Sequence, residues 1–188
     1  MGEACLDKPG GIIVFGANGA GKTTLGHELA RLLSFRRMDV EDYCFEESEI
    51  PYSKPRTREE YMELMLADIE KYKSFVISAV IGDFGDVIPQ YYRLAVYMTA
   101  PYNLRMKRVK KRSYERYGAR TTEGGDMYEQ EREFFDFVAS RPLSVIDKWA
   151  ETLTCPVIRV DGTVDWRENA VKIAEQFRHI ALHIQGGN

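Results

Sequence analysis

Short apolar runs and longer amphipathic stretches alternate along the chain. The run Ile12, Ile13, Val14, Phe15 leads into a helical pattern that ends near Leu33. Phe35 to Val40 reads as a second short strand, closing on the acidic residues Asp39, Glu41 and Asp42. A loop broken by Pro51 and Pro55 follows. Thr57 and Glu60 then stand three apart as a capping box, and Tyr61, Leu64, Met65 and Ile69 recur at helical spacing, which predicts a helix from about Arg58 to Tyr72. The near-continuous apolar run Phe75 to Val80 suits a parallel strand covered on both faces, and Leu94 to Met98 makes a fourth strand. From Pro101 a basic helix carries Arg105, Lys107, Arg108, Lys110, Lys111, Arg112 and Arg116, and it ends in a loop containing Gly118, Arg120, Gly124 and Gly125. Helical stretches around Tyr128 to Ser140 and Pro142 to Thr152 precede a fifth strand, Val157 to Val160. The turn Asp161, Gly162, Thr163 then opens a final helix reaching about His183. Strands alternating with helices, without repeats or a low-complexity linker, predict an α/β domain with a parallel sheet and right-handed crossovers. Active sites in such sheets lie at the carboxyl ends of the strands. The turn after the first strand, the Asp39 cluster, the Asp83 turn and the Asp161 turn all fall on that edge.

The first of these turns carries the clearest chemistry. Gly16, Ala17, Asn18, Gly19, Ala20, Gly21, Lys22, Thr23 and Thr24 read GANGAGKTT, which fits the phosphate-loop spacing GxxxxGK[ST] between a strand and a helix. Successive backbone N–H groups of such a loop point inward at an anion, and the following helix adds its positive end. Lys22 is then placed to reach β- and γ-phosphates, and the Thr23 hydroxyl to sit on the Mg2+ that bridges them. A bound ATP or GTP is the expectation.

Composition narrows the class further. A chain of 188 residues with 44% hydrophobic positions can bury a full core, so one domain spanning 1–188 is expected. The net charge of −3 argues against a general nucleic-acid binder. No apolar run approaches the roughly 18 residues needed to span a membrane. Met1 to Gly11 lacks the apolar core of a signal peptide, and Cys5, Cys44 and Cys155 are odd in number and far apart. A cytoplasmic protein with reduced thiols is expected. His27, His179 and His183 read as surface residues rather than metal ligands, and Trp149, Trp166, Phe134, Phe135 and Phe137 as core.

The order of elements, together with GANGAGKTT, MDVEDY after the second strand, LRMKRVKKRSYERYGAR after the fourth and VDGT after the fifth, resembles the small P-loop kinases. That group includes adenylate, shikimate and gluconate kinases. Within it the chain looks most like bacterial adenylate-kinase-like or AAA-family ATPase proteins of unassigned substrate. The resemblance implies a three-layer α/β/α sandwich whose five-stranded parallel sheet has the order 2-3-1-4-5. It also implies a helical lid over about 112–127 and an acceptor-binding segment over about 41–72. ATP and Mg2+ are the implied cofactors. Asp39 would hold the metal through water, with Asp83 and Asp86 as alternatives, and Glu41 or Asp42 would orient or deprotonate the acceptor. Arg108 and Arg112 match arginines that in adenylate kinase lie against adenine and phosphate. Arg120 would close over the transferred group, and Asp161, Gly162 and Thr163 would set backbone groups beside the base. Lys54, Arg56 and Arg58 lie where the group grips an acceptor's phosphate or carboxylate, so an anionic acceptor such as a nucleotide or a hydroxy acid is expected. The implied activity is phosphoryl transfer to a small molecule by a monomer or homodimer. The alternatives are an NTPase or switch protein that drives a partner, and a polynucleotide end kinase.

Overall fold

The computed structural model describes residues 8–185, with side chains described to residue 181; Cys5 and the side chain of His183 lie outside this range. Five strands, β1 (Gly10–Gly16), β2 (Arg36–Asp39), β3 (Ser74–Ala79), β4 (Tyr92–Thr99) and β5 (Val157–Asp161), form one sheet in the order β2-β3-β1-β4-β5. Every neighbouring pair is parallel. The helices are α1 (Lys22–Leu33), α2 (Val40–Cys44), α3 (Arg58–Tyr72), α4 (Tyr102–Tyr117), α5 (Tyr128–Ser140), α6 (Ser144–Ala150) and α7 (Trp166–Gln185). The sheet order is the one implied by the resemblance.

Strand β1 shows why its sequence has no polar alternation: every residue in it is buried, because both faces of the sheet are covered. Ile12 and Val14 pack with Leu25 and Leu29 of α1 and with Ala170, Ile173 and Phe177 of α7. Ile13 and Phe15 face the other way, into a layer with Met38, Met65, Ile69, Ile77 and Ile146. These two layers hold the carboxyl ends of the strands in register. Among the described residues no helix is long and apolar enough to cross a membrane.

The structure departs from the sequence expectation in several places. The second strand stops at Asp39, because the Asp39 carboxylate accepts from Glu41 N at 3.4 Å and caps the short helix α2. The sixth helix is shorter than Pro142 to Thr152, starting at Ser144. Not all the aromatic residues assigned to the core are buried. Trp149 packs its edge on Phe15, with centroids 4.8 Å apart, but Phe137 is 54% exposed and Phe134 and Phe135 are only half-buried. The inward positions of α5 are Glu131 and Val138, which turns Phe137 outward.

The capping box at α3 is complete: Glu60 N donates to Thr57 Oγ1 at 3.3 Å, and Thr57 N donates to Glu60 Oε2 at 2.8 Å. Replacing Thr57 by Ala is expected to cost about 1 kcal/mol and to lower the melting temperature by about 2–4 °C, with Thr57→Ser close to the parent. Thermal melting of the three proteins checks this; equal melting of the Ala variant and the parent would show that the cap contributes nothing.

Candidate active site

Strand β1 delivers the chain into the loop Ala17–Gly21, and α1 starts directly from it. Gly21 occupies the N-cap in a left-handed conformation, and no side chain caps the helix, so its leading N–H groups are left for an anion. Two positions need glycine. At Gly16, with φ of 141°, a Cβ would stand 2.2 Å from Met98 O, and at Gly19, with φ of 78°, one would stand 2.4 Å from Arg105 O. Strand β4 and the start of α4 therefore touch the loop backbone.

Helix α4 fixes the loop through its arginines. Arg105 is 5% exposed and donates to Ala100 O at 3.2 Å and to Asn18 O at 3.4 Å. Arg108 donates to Gly19 O and Ala20 O, both at 3.4 Å, and to Gly162 O at 2.9 Å, joining the loop to the turn after β5. Arg112, one turn further along the same face, is half-buried and has neither a hydrogen bond nor an ion pair among the described residues. It lines two adjoining cavities.

The larger cavity, about 390 Å3, is walled by Gly19 to Thr24, Met98, Arg108, Arg112, Gly162 and Trp166. The smaller, about 150 Å3, is walled by Glu41, Phe45 and Tyr52 on one side and by Arg112, Ser113, Arg116, Tyr117, Gln130, Glu131 and Phe134 on the other. Val109 and Arg112 belong to both walls. Lys22 lines the larger cavity. Its Nζ donates to Ala17 O at 3.0 Å, and burial lowers its pKa to about 8, with Glu41 and Asp39 opposing that shift and Arg112 and Arg141 reinforcing it.

A family model for an AAA domain matches residues 12–136. The chain belongs to the AAA domain family. This AAA domain chain is 25% identical over 172 residues to YqaC of Bacillus subtilis (strain 168), a protein described as uncharacterized, and the match covers 87% of this chain and 95% of YqaC. In structure it is similar to a gluconokinase from Sinorhizobium meliloti 1021, with TM-score 0.54 and 15% identity over 94% of this chain and 96% of that one. It is also similar to shikimate kinase from Acinetobacter baumannii in complex with shikimate, with TM-score 0.52 and 19% identity over 91% and 94% of the two chains. Its fold is that of the small P-loop kinases.

Within the AAA domain the residues singled out from sequence separate into two groups. Gly19 to Thr24, Arg108 and Gly162 line the larger cavity, Glu41 lines the smaller, and Arg112 lines both. Asp39 joins them electrostatically at Lys22. Gly16, Ala17 and Asn18 support the loop without lining either cavity, and Asp161 and Thr163 are exposed outside both, with Asp161 Oδ1 accepting from Thr163 N at 2.8 Å. Arg108 lines the larger cavity while its terminal N–H groups are held by backbone carbonyls of the loop and of Gly162.

Several charged residues are already occupied elsewhere. Arg56 donates to Tyr43 O at 2.8 Å and to Phe45 O at 2.6 Å, and Arg58 pairs with Asp83 at 3.6 Å. Asp42 pairs with Arg37 at 3.5 Å, and Arg120 pairs with Asp126 at 2.7 Å. Exposed Lys54 lines neither cavity. Arg56 and Arg58, expected to grip an acceptor, line neither cavity. Sequence reading missed Arg141, Ser113 and Glu131. Arg141 follows α5 and acts on Lys22, while Ser113 and Glu131 meet across two helices. It also placed Trp166 in the core, whereas Trp166 lines the larger cavity.

The depressed Lys22 has a pH consequence. Between about 8 and 10.5 the unfolded chain holds this proton and the folded chain does not, so stability from this group rises with pH across that window. Bound phosphate favours the ammonium form. Affinity for a non-hydrolysable ATP analogue should therefore fall as pH rises past about 8, and Lys22→Met should bind more weakly with little pH dependence. Titrations at pH 7 and pH 9 check this; parallel pH profiles for parent and variant would contradict it.

Proposed function

We propose that this chain is an ATP- and Mg2+-dependent phosphotransferase that moves the γ-phosphoryl group to a hydroxyl of a small molecule. One observation carries the reading: the phosphate cleft and the smaller cavity share a wall at Val109 and Arg112, with Lys22 and Glu41 coupled electrostatically at the junction. An acceptor in one cavity can meet a phosphoryl group in the other.

The residues present fit the nucleotide and metal. The loop offers backbone N–H groups at a helix end that no side chain caps, the Thr23 hydroxyl has no hydrogen-bond partner among the described residues, and Asp39 uses Oδ1 in its cap. Among the described residues no three His, Cys, Asp or Glu side chains gather to hold a metal by themselves. That suits Mg2+, which binds through one or two carboxylates together with substrate phosphates. MgATP, when bound, supplies the phosphoryl group and the divalent charge.

The chain's own residues then have separable tasks. Lys22 would exchange the Ala17 carbonyl for phosphate oxygen. Arg112 and Arg141 would add fixed positive charge where the transferring group becomes most exposed, which is the main burden of phosphoryl transfer. Glu41, which accepts from the Tyr52 hydroxyl at 3.3 Å, would take the acceptor's proton. Asp39 would hold a metal-bound water. Arg120 could join only by leaving Asp126.

Residues of about 112–127 act as the lid and those of about 41–72 as the acceptor segment in this reading. Contacts already link the two sides: Arg116 donates to the Tyr52 hydroxyl at 3.1 Å and Arg120 to Glu49 O at 3.4 Å; beyond the lid, Gln130 of α5 donates to Pro51 O at 3.0 Å.

ATP consumption measured across nucleosides, nucleoside monophosphates, sugar acids and hydroxylated carboxylic acids tests the proposal. With the best acceptor, Glu41→Gln should lower turnover by about 100-fold or more, while ATP affinity changes by less than about threefold. Stimulation by none of these compounds, with turnover responding instead to a protein or a nucleic acid, would contradict it.

A further inference from the structure

The smaller cavity has features that the phosphoryl-transfer reading does not require. Glu131 is 6% exposed, at the bottom of a wall otherwise rich in rings. Its Oε2 accepts from the Ser113 hydroxyl at 2.5 Å. The other oxygen, Oε1, has no hydrogen-bond partner among the described residues. Glu131 lines the cavity, and no fully buried side-chain nitrogen or oxygen among the described residues lacks a partner, so Oε1 is not sealed off. A carboxylate held in this way, deep in the protein, asks for a hydrogen-bond donor from whatever enters.

The walls indicate the shape of that entrant. Phe45 and Tyr52 come from the segment after α2, with centroids 5.2 Å apart in an edge-to-face pair, and Tyr117 and Phe134 come from α4 and α5. Rings contributed from both sides suit a flat guest. A volume of about 150 Å3 is the size that takes a single benzene-sized ring. Two carboxylates, Glu41 and Glu131, and two guanidinium groups, Arg112 and Arg116, line the cavity, so its walls carry no net charge, and Arg56 and Arg58 are absent from them.

We infer that this cavity recognises a single planar nitrogen ring bearing an N–H donor, read by Glu131 Oε1, so that the phosphoryl acceptor is a pyrimidine-sized heterocycle carrying a hydroxyl. The inference rests on the phosphotransferase reading for the word acceptor, but the ring site stands on its own geometry. Ser113 acts as a positioning residue that aims the carboxylate. The ring could arrive on a nucleoside or on its 5′-monophosphate, in which case the phosphate would lie toward Arg112.

Calorimetric titration of the full chain with cytidine, uridine, their 5′-monophosphates, shikimate and gluconate tests the inference, each with a non-hydrolysable ATP analogue present. At least one pyrimidine compound should bind with Kd below about 1 mM, and Glu131→Gln should weaken it by about tenfold. Phe134→Leu keeps the apolar surface but removes the flat ring, and should also weaken it. Melting curves establish that each variant is folded, and Ser113→Ala gives a second route to the same carboxylate if Glu131→Gln is not. Binding of shikimate or gluconate but no pyrimidine, binding of nothing in the series, or pyrimidine binding indifferent to both Glu131→Gln and Ser113→Ala would overturn the inference. Pyrimidine binding without phosphoryl transfer would uphold the ring site and count against the kinase reading alone.

Discussion

The contact between α4 and the phosphate loop is the constraint on which the rest of the site depends. A loop that presents N–H groups to an anion must place its carbonyls somewhere else, and here arginines take them: Arg105 the carbonyl of Asn18, and Arg108 those of Gly19 and Ala20. The approach is close enough that Gly19 could carry no Cβ without meeting Arg105 O. Positive charge therefore serves twice on one helix face. At its start the arginines hold the backbone, and one turn later Arg112, with no hydrogen bond or ion pair among the described residues, lines both cavities.

That arrangement sets the electrostatics of Lys22. The lysine donates to Ala17 O, and burial together with two nearby arginines weakens its hold on the proton, while Glu41 and Asp39 oppose the loss. Lys22 thus sits among charges of both signs, two carboxylates and two arginines. Fixed charge that does not need to reorganise is worth most in such partly dry surroundings. The short helix α2 belongs to the same design, since Asp39, at its cap, and Glu41, in its first turn, are brought to the junction by one local turn of chain.

Much of this was legible in the amino-acid order, for local reasons. Strands covered on both faces have to be apolar throughout, the loop requires glycines at fixed spacing, and the Thr57 to Glu60 cap is a contact between near neighbours. What was not legible depends on pairing at a distance. Sequence shows that Arg56, Arg58 and Arg120 are charged, but not that carbonyls, Asp83 and Asp126 occupy them. Nor does it show that Glu131 turns inward on Ser113 eighteen positions away, since a glutamate in a charged helix ordinarily faces water. Exposed Phe137 is the converse case: an apolar letter whose place on α5 leaves it outside.

The central claim is that two adjoining cavities form one transfer site around Lys22, Glu41 and Arg112. The most direct measurement is to follow the label of γ-phosphate-labelled ATP when the chain is offered hydroxylated small molecules, separating the products. The account predicts that label moves onto one of those molecules, and that Arg112→Ala suppresses this transfer while the domain still melts cooperatively. Label released only as inorganic phosphate, whatever small molecule is present, would contradict it.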